Sequence, residues 1–128
     1  MIIPDLIFFG CFGMFAEIVF TAITRSYQNK SLNLMGHVSL WMFPVYAIGL
    51  TWGFDLIEYL ISNDIFRWLS YPLWIWLVEI SIGVPASKKN IEIWNYRYLP
   101  DWAHWRGIIS FVHFPLWVLF GILVECFR

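Results

Sequence analysis

GHVSLWMFPVYAIG, residues 36–49, and GIISFVHFPLWVLFG, residues 107–121, carry the pattern that decides the fold. In them Gly36-x-x-Ser39-x-x-x-Phe43-Pro44 recurs as Gly107-x-x-Ser110-x-x-x-Phe114-Pro115, 71 residues later. Upstream, Met14-Phe-Ala-Glu17-Ile18 is matched by Trp76-Leu-Val-Glu79-Ile80. Self-similarity of this kind marks a duplicated structural unit, a common device in transporter-like chains. Each copy holds two apolar stretches. The expectation is therefore two copies of one helical hairpin, lying parallel and related by a pseudo-two-fold axis along a membrane normal.

The composition requires a membrane. Hydrophobic residues make up 60% of the 128 and charged residues only 13%, whereas soluble chains carry roughly 25% charged residues. A fold of this size leaves much of its surface in water and has no room to hide so much apolar side chain. A soluble domain, a disordered segment and a disulfide-stapled module are all excluded. A helix needs about 20 mostly apolar residues to cross the hydrocarbon of a bilayer, and four stretches meet that need: about 6–24, 37–61, 68–84 (rather short) and 107–127. The fold expected is an all-α integral membrane protein of four transmembrane helices in a single domain, 1–128. Pro44, Pro72 and Pro115 fall inside the expected spans, where neighbouring helices can re-satisfy the freed carbonyls. The hydrophobic N-terminus lacks a basic leader and a small-residue cleavage site, so it reads as a retained span. Between spans 3 and 4, residues 91–106 mix aromatics with charge and suit the headgroup zone, with Trp94, Tyr96, Trp102 and Trp105 at headgroup level.

Charge sets an expected topology. Four spans put Arg25, Lys30, Lys88, Lys89, Arg97 and Arg106 on one side and only Arg67 and Arg128 on the other. The positive-inside rule then makes the basic loops cytoplasmic and both termini non-cytoplasmic. The opposite side carries Asp5, Asp55, Glu58, Asp64 and Glu125, read as solvated span ends or as a cation-attracting vestibule.

Glu17 and Glu79 are the main candidate site. Both sit near mid-span, where a charge costs roughly 2.5–3.5 kcal/mol on insertion scales, so each needs a partner or a wet cavity. The duplication invites the reading that they meet at the pseudo-two-fold and share a proton; the alternative is that each fixes helix packing by hydrogen bonding. His113 is a third polar candidate, available to answer a glutamate or simply to pack. Gly10, Gly13, Gly49 and Gly53 read as points of close helix approach, Ser39 and Ser110 as interhelical glue, and Cys11 and Cys126 as small buried hydrophobes. No phosphate loop, nucleophile elbow, metal-ligand spacing or nucleic-acid-binding basic field is present. Neither enzymatic activity nor a cofactor nor a nucleic-acid partner is expected.

The segments GHVSLWMFPVYAIG, LVEISIG, IWNY and RGIISFVHFPLWVLFGILVE resemble the transmembrane protein 229 family. More broadly they resemble the bacterial proteins labelled type IV ABC-transporter permeases, CmpB-like. The resemblance spans almost the whole chain and keeps the motif order. Its matching positions are Glu17, Gly36, Pro44, Tyr46 and Gly49 in the first half and Glu79, Gly83, Trp94, Tyr96, Gly107, Trp117 and Gly121 in the second. The chain departs from the bacterial pattern at Asn95, where Asp is usual, and in lacking an Asn shortly before Gly107. The resemblance implies a permease-type or transport-associated subunit. Four short spans can hardly enclose a pathway alone, so other copies or other membrane subunits are expected as partners, with lipid around them. An accessory or scaffolding subunit is the alternative, and an intramembrane lipid enzyme is a more distant one.

Overall fold

The computed structural model describes residues 3–128, and it is mostly helical. Helix α1 runs Ile3–Asn29. Next come α2 (Met42–Ile48), a π-helical turn (Gly49–Gly53) and α3 (Phe54–Leu60) in unbroken succession, then α4 (Asp64–Lys88). A 3-10 turn (Asp101–Ala103) leads into a short hairpin of β1 (His104–Trp105) and β2 (Ile109–Ser110), and α5 (Phe114–Phe127) closes the chain. The strands pair antiparallel, His104 opposite Ser110 and Trp105 opposite Ile109. The chain divides into two compact units, Met1–Leu56 and Ile57–Arg128.

Two helices, α1 with 27 residues and α4 with 25, are long and apolar enough to cross a membrane. Four spans are not what the chain forms. Residues 37–41 of the expected second span precede the helix, and residues 107–113 of the expected fourth form the hairpin turn, β2 and a further turn. Helix α5 has only 14 residues, about 21 Å against roughly 30 Å of hydrocarbon. The reason lies in the Phe-Pro pairs, which were expected inside spans. Phe43-Pro44 falls in the first turn of α2 and Phe114-Pro115 opens α5. Proline lacks an N–H and has φ preset to helical values, so it fits where the first amides need no partner. The repeated motif is thus a helix start. Among the described residues, Pro72 and Pro85 alone lie in a helix interior, both in α4.

The two long helices end in the same way. After α1 the chain turns left-handed at Lys30 (φ 51°), with the Ser31 amide bonded to the Ser26 carbonyl at 2.9 Å. After α4 it turns left-handed at Asn90 (φ 56°), with the Ile91 amide bonded to the Ala86 carbonyl at 2.9 Å. These are Schellman caps, which satisfy carbonyls that a helix end leaves open. The start of α4 is also capped, since the Asn63 side chain accepts from the Phe66 amide at 3.1 Å.

Each unit then packs its long helix against the Phe-Pro-led helix that follows. In the first unit a Cβ at Gly10 would strike the Phe43 ring and one at Gly13 the Tyr46 ring. In the second, Gly121 lies against the Tyr71 ring, and Tyr71 is 1% exposed. Gly49 and Gly53 do not serve close approach: a Cβ at Gly49 meets nothing within 4 Å, and one at Gly53 only the Ile48 carbonyl at 3.8 Å. They bound the π-helical turn instead. Cys11 and Cys126 are free and exposed, contrary to the buried reading. Ser39 bonds locally, accepting from the Trp41 amide at 3.3 Å, and Ser110 is fully buried.

Much of the long helices' apolar surface points outward. Ile7, Phe15 and Ile23 on α1, and Phe66, Leu69, Leu73 and Leu77 on α4, are each half or more exposed. The spacing of the α4 set, three or four residues, makes a continuous stripe along one face.

Candidate functional site

Each unit holds the glutamate at the middle of its long helix by a tyrosine. Glu17 lies on α1 and accepts a hydrogen bond from the Tyr46 hydroxyl on α2 at 2.9 Å. Glu79 lies on α4 and accepts from the Tyr96 hydroxyl at 2.9 Å. Both glutamates are half-buried. A tyrosine hydroxyl is the apt donor at such depth, because it brings a ring that packs and a single polar tip. Either acid therefore finds one hydroxyl inside its own unit.

The support beneath the first pair comes from the segment between α1 and α2. There the chain runs back along α1, and the His37 amide donates to Thr21 Oγ1 at 2.8 Å while that hydroxyl lies 3.0 Å from the His37 carbonyl. His37 Nδ1 also lies 3.4 Å from the Arg25 guanidinium. Gly36 sits directly on the Ile18 carbonyl, where a Cβ would overlap the oxygen. Any side chain at 36 would push this segment off α1, and Tyr46 with it.

The second pair is supported from a different element. Tyr96 belongs to the stretch between α4 and β1; it is buried, and its amide donates to the Gly107 carbonyl at 2.9 Å. Its ring packs on His113 at 5.6 Å between centroids, and His113 packs on Trp117 at 5.7 Å. Trp94 donates its indole N–H to the Ile108 carbonyl at 2.8 Å, and Ile108 rests on Gly83. Of the candidate residues, Glu79, Tyr96, His113 and Trp117 thus form one polar-aromatic cluster, with Gly83, Trp94 and Gly107 shaping the backbone around it. Within the segment expected at headgroup level, Tyr96 is buried and Trp94 half-buried, whereas Trp102 is 76% exposed and Trp105 is exposed.

The hairpin turn explains Gly107. Arg106 (φ 55°) and Gly107 (φ 71°) are both left-handed, and the Ile108 amide closes on the Trp105 carbonyl at 2.9 Å. Two positive φ angles in succession suit a mirror-image turn whose twist matches a hairpin.

A third polar centre was not foreseen as one. Glu125 on α5, read from sequence as a solvated span end, is a half-buried hub. It accepts from Arg67 Nε at 2.5 Å, Arg67 Nη2 at 3.2 Å, the Trp68 indole at 2.8 Å and the Tyr71 hydroxyl. Arg67 Nη2 also meets Asp64 at 2.7 Å, and its Nη1 donates to the Ile61 carbonyl at 3.1 Å. The side chains of Arg67 and Glu125 are only 11% and 15% exposed. Nearby, Arg128 donates to Glu58 at 3.3 Å. The available signal was the apolar helix around Glu125, which supplies no water and so demands a partner. Among the described residues no group of His, Cys, Asp and Glu is placed to hold a metal ion.

No protein-family model matches the chain, and no solved structure matches it.

Proposed function

We propose that this chain is a small integral membrane subunit of permease or transport-associated type, working as an oligomer or within a larger complex. One observation carries the reading: two helices of spanning length leave long apolar stripes outward while each keeps one carboxylate half-buried on a tyrosine. Outward stripes on a 15.2 kDa chain suit lipid and other subunits. Acids kept within spanning helices are expensive, and in membrane proteins they commonly mark substrate or ion pathways and proton relays. The resemblance to the CmpB-like permeases supports the same role.

A scaffolding role without transport is the second reading. The favouring observation is that Tyr46 and Tyr96 already bond the two acids within their own units.

Native mass spectrometry of the protein released gently from its own membrane tests the first reading. The expected result is an oligomer or a complex with other membrane subunits; a chain recovered from the aqueous fraction as a monomer overturns it. Glu17→Gln and Glu79→Gln separate the two readings. Stable assembly with lost transport of the complex supports the transport role, and unchanged transport supports scaffolding.

A further inference from the structure

An open cavity of about 290 Å³ lies at the C-terminal end of α4, beneath the stretch that leads to the hairpin. Its floor is apolar, made by Ile108 and the Trp94 ring beside Gly83. Its polar wall holds Arg97, Arg106, Ser87, Asn90 and Glu92. Among the described residues, Arg67 and Arg128 are both committed to carboxylates, whereas neither Arg97 nor Arg106 has a carboxylate within ion-pair distance. Arg97 is nonetheless held in place, with one N–H on the Arg106 carbonyl at 3.2 Å and its amide on Asn95 Oδ1 at 2.9 Å. Arg106 lies over the Trp105 ring at 5.2 Å.

We propose that this cavity binds the phosphodiester headgroup of an anionic phospholipid. The proposal rests on the membrane reading above. Two positioned guanidiniums are the preferred protein partners of phosphate oxygens, since each offers planar paired donors. The volume falls at the small end of ligand sites, which suits a headgroup with its tail left outside. Glu92 on the same wall disfavours a second negative charge and so selects a singly charged diester. Lys88 and Lys89 end α4, whose last turn lines the cavity, and Trp105 beneath Arg106 is exposed. Basic residues with interfacial tryptophans are the chemistry that draws a segment to an anionic leaflet.

The test is native mass spectrometry of the full chain from nanodiscs of phosphatidylglycerol, of phosphatidylcholine and of their mixture. The protein entering nanodiscs at all checks the membrane reading separately. With the mixture, one phosphatidylglycerol should survive delipidation on the wild-type chain. Retention should fall about tenfold or more in the R97Q/R106Q variant, as expected for losing charge-assisted bonds, and should stay unchanged in K30Q. Ser87→Trp, which fills the cavity without altering charge, should also abolish retention; this variant keeps the proposal testable if the double variant fails to fold. Equal retention of both lipids, or wild-type retention in Ser87→Trp, overturns the site. So does loss as large in K30Q as in R97Q/R106Q, which would show diffuse charge attraction. Inorganic phosphate in lipid-free detergent supplies the last arm. If it raises the Tm of the wild type but not of R97Q/R106Q, to the extent that phosphatidylglycerol does, the ligand is free phosphate and the lipid assignment fails.

Discussion

The first unit bonds its mid-helix acid with a residue from the next helix, and the second does so with a residue from a connecting loop. Tyr46 sits on α2, three residues after Phe43. The residue in the equivalent place of the second copy is Trp117, yet the bond to Glu79 comes from Tyr96, in a stretch the first unit does not have. Both bonds measure 2.9 Å. What recurs is the requirement, set by a carboxylate on an apolar helix, while the element that meets it is free to change. The same holds for the repeated glycine. Gly36 is needed because the chain crosses the Ile18 carbonyl without room for a Cβ, whereas Gly107 is needed for its left-handed turn.

The comparison breaks most visibly at Glu125, which has no acidic counterpart in the first unit, where Phe54 occupies the matching place. Glu125→Leu removes the main partner of the half-buried Arg67, which keeps Asp64 and the Ile61 carbonyl, and the cost expected is about 3 kcal/mol, the low end for breaking a shielded ion pair. A thermal melt in detergent should show it as the largest loss of any single substitution here, and a wild-type Tm would refute the hub.

Removing the hydroxyls asks whether the two units are equivalent in energy as well as in length of bond. Tyr46→Phe and Tyr96→Phe each delete one hydrogen bond to a carboxylate, a loss of about 1.5–3 kcal/mol. The two Tm shifts should agree closely. A shift confined to one variant would show that the other acid is satisfied by something else.

The glycines sharpen the contrast further down the scale. Gly36→Ala forces the chain off α1 and should cost about 1–3 kcal/mol by overpacking, with the Glu17–Tyr46 bond weakened as a consequence. Gly49→Ala meets open space in a helical stretch and should be neutral or stabilising, by up to about 1 kcal/mol. Chemical denaturation of the two variants side by side checks both signs, and a destabilised Gly49→Ala would show that the π-helical turn depends on that glycine.

Glu17 and Glu79 were legible as the polar positions of interest because a charge inside an apolar stretch is conspicuous in any sequence. Their partners were not, because Tyr46 and Tyr96 stand 29 and 17 residues away and no spacing rule connects a helix to a loop. Glu125 was misread for a related reason: a position near a helix end looks solvated until Arg67, Trp68 and Tyr71 are seen to close over it. Phe-Pro was misread because hydropathy alone does not distinguish a proline within a span from one that starts a helix.

Composition and the duplicated pattern determined by themselves that the chain is mostly helical and that each copy keeps an acid within a long apolar helix, whereas two helices of spanning length in place of the expected four came only from the structure. The first two properties are sums over local residues, so they survive without coordinates. Only the tertiary structure decided where the helices begin, which hydroxyl meets which acid, and that Arg97 and Arg106 come to one cavity. Such features depend on backbone turns at Lys30, Asn90, Arg106 and Gly107, where a few degrees of φ redirect everything downstream.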